Sequence, residues 1–383
     1  MIAGTPDQGG AAWSVLQYVL GFRRLGYDVC LIEPVSGLDR RSGAYLDRVT
    51  AAFGLRAALL ERGTRRTAGM TYDAVLRAAS DAEVLVNVSG MLTDPQLLEM
   101  VPIRAYLDLD PAFNQLWHAV CGIDMRFEGH THFVTVGQAI GKPDCPIPTC
   151  GHSWIPTLPP VVLERWPAAP RTPAAAVTTV ANWRGYGSIE HDGVRYGQKA
   201  HSLRALIDLP ARTREHLSLA LAIHRDEVSD LEALAENGWE LTDPAEAAAT
   251  PSQYRQFIQQ SKAELGLAKS GYVVSRCGWF SDRSACYLAS AKPVVAQDTG
   301  FPAYVPAGEG LLVFSNVEEA ARALEQVAGA YDHHCKLARA LAEEHFDSDR
   351  VLTRLLQRIR ASDDTPRSAA DGLPRGARNP GLP

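Results

Sequence analysis

The chain has 383 residues, 46% of them hydrophobic and 21% charged, and at roughly 100 to 200 residues per domain this length predicts two domains and excludes a short peptide module. Lys plus Arg total 38 against 44 Asp plus Glu, a formal charge of −6, so the basic footprint of a duplex-nucleic-acid binder is lacking and no nucleic-acid partner is expected. No apolar run reaches the ~18 to 20 residues that cross a bilayer, and the start has neither the basic flank nor the apolar core of a signal peptide, which predicts a soluble, cytoplasmic protein without a transmembrane segment.

In chain order, MIAGTPDQGGAAWSVLQYVLGFRRLGYDVCLIEPV reads as a strand end, a Gly-rich turn, an amphipathic helix and a second strand. Trp13, Leu16, Leu20 and Leu25 with Val15 and Val19 give the helix its apolar face, Gly26 stops it, and 27–32 form a buried strand. Only Met1 to Ala3 precede the turn, whereas a central parallel strand runs about five or six residues, so part of the first strand is expected to be missing. Strand-like runs recur at 83–88, 103–109 and 132–136, separated by helical segments such as 72–79 and 94–100. This alternation predicts a doubly wound parallel sheet over 1–165.

A Pro-rich stretch from Pro146 to Pro173 has few helix or strand signals and marks the expected domain boundary. The pattern restarts over 174–345, with strands at 177–181, 217–222, 264–268, 272–275 and 293–297. Helices are expected at 202–207, 227–237, 253–259, 284–290, 317–330 and 332–345. A last amphipathic helix within 346–361, carrying Val351, Leu352, Leu355, Leu356 and Ile359, must bury its stripe, with the first domain as the expected partner. From 362 to 383 the chain is nearly free of large apolar residues, and a disordered tail is expected.

Seven scattered cysteines in a chain with ample core-forming residues predict reduced thiols rather than a disulfide framework. Cys145 and Cys150, with His130, His132 and His152 near in sequence, carry zinc-ligand chemistry, but two intervening prolines and no second Cys pair favour ordinary loop packing, and no metal is expected.

Two open parallel sheets that face each other create a cleft at the carboxyl ends of their strands. On the first domain its wall is expected to include Gly4 to Gly10, where Gly9 and Gly10 permit close backbone approach at a helix start. Neither GxGxxG nor GxxxxGK[ST] occurs. On the second domain Arg184 and Lys199 are candidates to clamp a diphosphate, one by its fork and the other as a point charge. Trp279, Ser281, Asp282, Arg283 and Ser284 lie where a strand end meets a helix start, and Asp298, Thr299 and Gly300 repeat that geometry. Either Ser281 or Asp282 can instead serve as an N-cap.

SDRSACYLASAKPVVAQDTGFPAYVPAGEGLLVFSNVEEAARAL resembles the nucleotide-sugar half of GT-B fold glycosyltransferases, in which a helix, a Lys-Pro-Val-Val strand, a Gly turn, a Gly-x-Gly-Leu-Leu strand and a helix follow in that order. GTPDQGGAAWSVLQYVLGFRRLGYDVCLIE is similar to the opening of the same fold. The resemblance implies an α/β protein of two Rossmann-like domains facing across a cleft, the second holding a nucleoside diphosphate sugar and the first offering a small-molecule or glycan acceptor, with no further cofactor. It puts the diphosphate near Arg184, Lys199 and Arg283, and ribose or sugar hydroxyls near Asp282, Asp298 and Thr299. Many retaining members carry Glu-x7-Glu on this segment, where Gly278 and Cys286 stand here. Arg283 matches an Arg-x-Phe-Glu pattern whose Glu is again Cys286, and the His base of inverting members has no equivalent.

If an acceptor hydroxyl needs a general base, the candidates are Asp108 and Asp110 in YLDLDP, or His130 and His132 in EGHTHF. Among Trp117, Trp154, Trp183 and Trp279, the last is the candidate to stack on a base or sugar face. The expected activity is a metal-independent, hexosyl-type glycosyltransferase. The alternatives are a nucleotide-sugar epimerase on the same fold and a non-catalytic sugar-nucleotide-binding protein.

Overall fold

The second half is built on six strands, Val177–Asn182, Leu217–Ala222, Glu240–Thr242, Ala263–Gly266, Val294–Gln297 and Leu311–Phe314. Most of their residues are buried on both faces, as in helix-covered parallel strands. All pairings are parallel. In the order of their appearance the strands lie 3-2-1-4-5-6, the doubly wound Rossmann arrangement, whose switch point falls between Val177–Asn182 and Ala263–Gly266. The computed structural model describes residues 2–363. The tail expected from 362 begins inside the helix Ser348–Asp363, and 364–383 lie outside the described residues.

In the first half, Val84–Val88, Ile103–Asp108, His132–Thr135 and Trp154–Pro156 make one parallel sheet, and Cys30–Val35 with Arg56–Glu61 and Thr67–Gly69 make a second. No strand forms at Ile2 and Ala3. The N–H groups of Ile2, Ala3 and Gly4 instead donate to the buried Glu33 carboxylate, at 3.1, 2.8 and 2.8 Å. Three backbone donors stabilise that charge away from water.

Tyr272–Ser275 is helical, within Ser270–Ser275, and corrects the expectation of a strand. A parallel neighbour of Ala263–Gly266 needs a crossover of a dozen residues, and only three intervene before Ser270, so the β-branched Val273 and Val274 are overruled. The helix Arg40–Phe53, capped by Asp39 and stopped at the left-handed Gly54, and the hairpin Ile189–His191 with Val194–Tyr196 carried no sequence signal. Among the described residues no helix is long and apolar enough to cross a membrane.

Between Pro156 and Val177 the chain makes only an isolated bridge at Val161, which exchanges hydrogen bonds with Phe346 and Ser348 where the chain returns. Leu352, Leu355 and Ile359 of the last helix then bury against Tyr18, Ala105, Leu107 and Val134 of the first half.

The helix Gly9–Arg24 lies along the other half. Gly9 N–H donates to Ala248 O at 2.8 Å, Trp13 Nε1 to Pro251 O at 2.8 Å and Tyr45 Oη to Ala249 O at 3.1 Å. A Cβ on Gly9 would stand 2.3 Å from Thr250 O and one on Gly10 2.9 Å from the Tyr254 ring. Trp13 also packs on the buried Trp166, ring centroids 4.9 Å apart. The two halves therefore share one apolar core, which includes Trp13, Trp166, Tyr254, Tyr287 and Phe346. Gly9→Ala forces that backbone contact apart, with an expected loss on the order of 2 kcal/mol in urea unfolding. An unchanged midpoint would show that the contact is soft.

Candidate functional site

A cleft of about 840 Å³ opens between the halves, at the carboxyl ends of both parallel sheets. Gln8, Gly10, Ser14, Gln17 and Tyr18 form its first wall, Leu109, Val136, Pro159 and Pro160 line it between the halves, and Asn182, Lys199, Tyr254, Asp282 and Arg283 form the second wall. Ile223, Leu241 and Pro244 extend it outward. Trp279 also lines it, with its ring stacked on Tyr272, centroids 4.4 Å apart.

Two cations face the cleft. Arg283 is buried on the helix Asp282–Ala289, with Nε bonded to the fully buried Glu264 and Nη1 to Val180 O at 2.9 Å. Most of its fork is thereby committed within the protein. Lys199, first residue of Lys199–Arg204, is half-buried and has no ion pair or hydrogen bond from its ammonium group among the described residues. Burial, and then the nearby charges of Arg283 and Lys269, push its pKa well below the ordinary lysine value. A bound anion there offsets both effects by favouring the protonated amine, so Lys199 is the cation with unused capacity. Asp282 is half-buried, and burial raises its carboxyl pKa.

Several expected site residues stand elsewhere. Arg184 is exposed and bonds Glu227 through Nε and Nη2, at 2.6 and 3.1 Å. Asp298 accepts from Gly300 N–H at 2.7 Å and pairs with Arg276 at 3.1 Å, while Thr299 donates to Trp279 O, so this loop folds onto 276–279 and does not line the cleft. Ser281 occupies the N-cap position without a side-chain cap, and with Ser284 it borders a small void behind the cleft. Gly9 packs against the other half and does not line the cleft, whereas Gly10 packs against the Tyr254 ring and lines it.

The candidate bases also lie outside the cleft. Asp108 is fully buried and accepts from Asp110 N–H, Asn114, Gln115 and Thr135, at 2.9, 2.6, 2.9 and 2.8 Å. Burial pushes its carboxyl up to about 6 against those bonds. Asp110 is bound by Lys269 Nζ at 2.9 and 2.8 Å, by Tyr186 Oη at 2.6 Å and by Tyr272 Oη. Lys269 sits over the rings of Phe113, Tyr186 and Tyr272, at 4.9, 4.4 and 5.2 Å from their centroids. The pair is a latch between the halves. His132 opens its strand and His130 precedes it, bonded to Asn87 and Phe127, at the amino end of the sheet away from the cleft. The seven cysteines are free thiols, and among the described residues no group of three His, Cys, Asp or Glu is placed to hold a metal.

Gln17 and Tyr18 are cleft-lining residues that the apolar pattern hid. Gly10, Ser14, Gln17 and Tyr18 recur at helical spacing, a small and polar stripe beside the apolar face of one helix. Gln17 Nε2 reaches Cys286 Sγ, 3.5 Å away, and its Oε1 accepts from Val162 N–H at 2.8 Å. The position where retaining enzymes of the resembling family carry their second Glu is thus sealed by an interdomain contact.

No protein-family model matches the chain, and no curated protein matches it in sequence. Solved structures do resemble it. An alpha-glucosyltransferase in complex with UDP and a mismatch-containing 13-mer DNA superposes with a TM-score of 0.59 at 11% identity, over 93% of this chain and 97% of that one. Anabaena HepE in complex with UDP-glucose gives 0.56 at 11%, over 93% and 97%. AviGT4, a glycosyltransferase involved in avilamycin A biosynthesis, gives 0.54 at 13%, over 93% and 90%. The chain has the GT-B fold. Within that fold the cleft is the space between the two Rossmann-like halves, and Asp108 is part of the frame of the first. Asp108→Asn places an amide N–H against four donors, so it is expected to lower stability by roughly 2 kcal/mol or more while leaving ligand affinity of the folded protein unchanged. Unfolding and titration of the same sample check both parts.

Proposed function

We propose that the chain transfers a sugar from a nucleoside diphosphate sugar to an acceptor hydroxyl in the interdomain cleft, without a metal ion. The observation that carries this reading is Lys199, a half-buried cation without an ion-pair partner among the described residues, beside Arg283 and the amino end of the helix Asp282–Ala289 at the sheet's switch point. A diphosphate leaving group develops charge as the glycosidic bond breaks, and preorganised cations with helix N–H groups stabilise that charge more than they stabilise the intact donor. The neighbours solved with UDP and UDP-glucose make UDP the first donor base to try. The acceptor is proposed to be a small molecule or a glycan, in keeping with the formal charge of −6. An epimerase reading loses support because no histidine lines the cleft among the described residues.

A non-catalytic sugar-nucleotide binder is the second reading, favoured by Gly278 and by the sealed Cys286 where a carboxylate pair would be. Release of nucleoside diphosphate only when acceptor is supplied supports the transferase, and binding without release over a panel of donors and acceptors supports the binder.

A thermal-shift panel of UDP, dTDP, GDP and ADP tests the binding itself, since a ligand at ~100 times its Kd adds about 2.7 kcal/mol of stability. Lys199→Met is expected to abolish the shift and Arg184→Ala to retain it. A shift that survives Lys199→Met would remove the diphosphate assignment. Arg283→Ala is a poorer probe, because it leaves Glu264 charged and buried without its partner.

A further inference from the structure

We propose that Tyr18 Oη and the Asp282 carboxylate, one from each half, together grip a hydroxyl of the sugar being transferred; this rests on the donor reading above and adds the residues that read the sugar. Tyr18 is 6% exposed and held in the cluster with Leu107, Val134, Leu352 and Leu355, yet it lines the cleft, and its buried hydroxyl has no hydrogen-bond partner among the described residues. Such a buried orphan is uncommon, because leaving a polar atom unpaired costs about 1 to 3 kcal/mol. Asp282 faces the same cleft from the second half and makes no ion pair or hydrogen bond to another side chain among the described residues. The two helices meet at this level. Gln17, next to Tyr18, touches Cys286, one turn after Asp282.

The chemistry of the pair selects its ligand. Tyr18 offers an O–H donor and ionised Asp282 offers only acceptors, so one group that both accepts and donates satisfies the two at once. An alcohol does this. A phosphate oxygen cannot, since it has no proton for Asp282 and carries the same sign of charge. The pair therefore orients the donor as well, turning the diphosphate toward Lys199 and the sugar toward Tyr18. Leu109, Val136 and Phe280 supply apolar wall for the C–H face of a sugar ring.

Calorimetric titration of UDP, dTDP, GDP and ADP, and of the glucose conjugate of each, into the wild-type chain, Tyr18→Phe and Asp282→Ala tests this. In the wild type at least one conjugate is expected to bind roughly ten-fold or more tightly than its own diphosphate, and in each variant that ratio falls to near one. Tyr18→Phe is expected to keep the affinity for the diphosphate and to hold or raise the unliganded melting temperature, since it removes a buried, unpaired hydroxyl. The inference is overturned if the ratio survives in Tyr18→Phe, if both ligands weaken equally, or if no wild-type conjugate outbinds its diphosphate. Failure of every diphosphate to bind the wild type overturns the donor reading itself, a different result.

Discussion

The close approach of the helix Gly9–Arg24 to the segment 248–254 is the constraint on which the rest depends. Backbone meets backbone there at a distance that admits no side chain on Gly9, and Trp13 and Trp166 fill the space alongside. On another flank the Lys269 ammonium, caged by three rings, holds Asp110 of the opposite half. Fixed at these contacts, the halves leave a cleft whose walls have a defined spacing. A cleft so framed can place two groups from different halves on one small ligand. Such preorganisation lowers the entropic penalty of orienting a reactant.

Within that frame the charges divide their labour. Arg283 and Glu264 form a buried pair, with the rest of the Arg283 fork on the carbonyls of Val180 and Leu267, and the pair ties the helix Asp282–Ala289 to the strand Ala263–Gly266 beneath it. Lys199 remains uncompensated, at a depth where water screens it poorly and an arriving anion interacts strongly. The pattern explains how two basic residues that look equivalent in sequence differ in role. One fixes the wall, and the other faces what enters.

Much of this architecture is legible in the sequence, for identifiable reasons. The parallel α/β character of the second half follows from strand-like runs alternating with amphipathic helices, though its strand order and the short strand Glu240–Thr242 do not, and the segment SDRSACYLASAKPVVAQDTG carries Asp282 and Arg283, which line the cleft. Tyr272–Ser275 misleads because its β-branched residues favour a strand locally, whereas crossover length is a property of the chain around it. The acid and histidine candidates mislead for another reason. YLDLDP and EGHTHF carry the residue types of catalysis, but nothing local reveals that Asn114, Gln115 and Thr135 surround Asp108, or that Lys269 arrives 159 residues later to claim Asp110. Tyr18 escapes notice because an aromatic on an amphipathic helix reads as core, and it is buried; what sets it apart is an oxygen that finds no hydrogen-bond partner among the described residues.

The return of the chain to its first half has a consequence for vectorial synthesis. The surface made by Tyr18, Ala105, Leu107 and Val134 is covered by Leu352, Leu355 and Ile359, which leave the ribosome about 200 residues after the strand Trp154–Pro156. At typical elongation rates that interval is roughly 10 to 40 s. Throughout it the nascent amino-terminal half carries an open apolar seam, which closes only once the last helix has emerged.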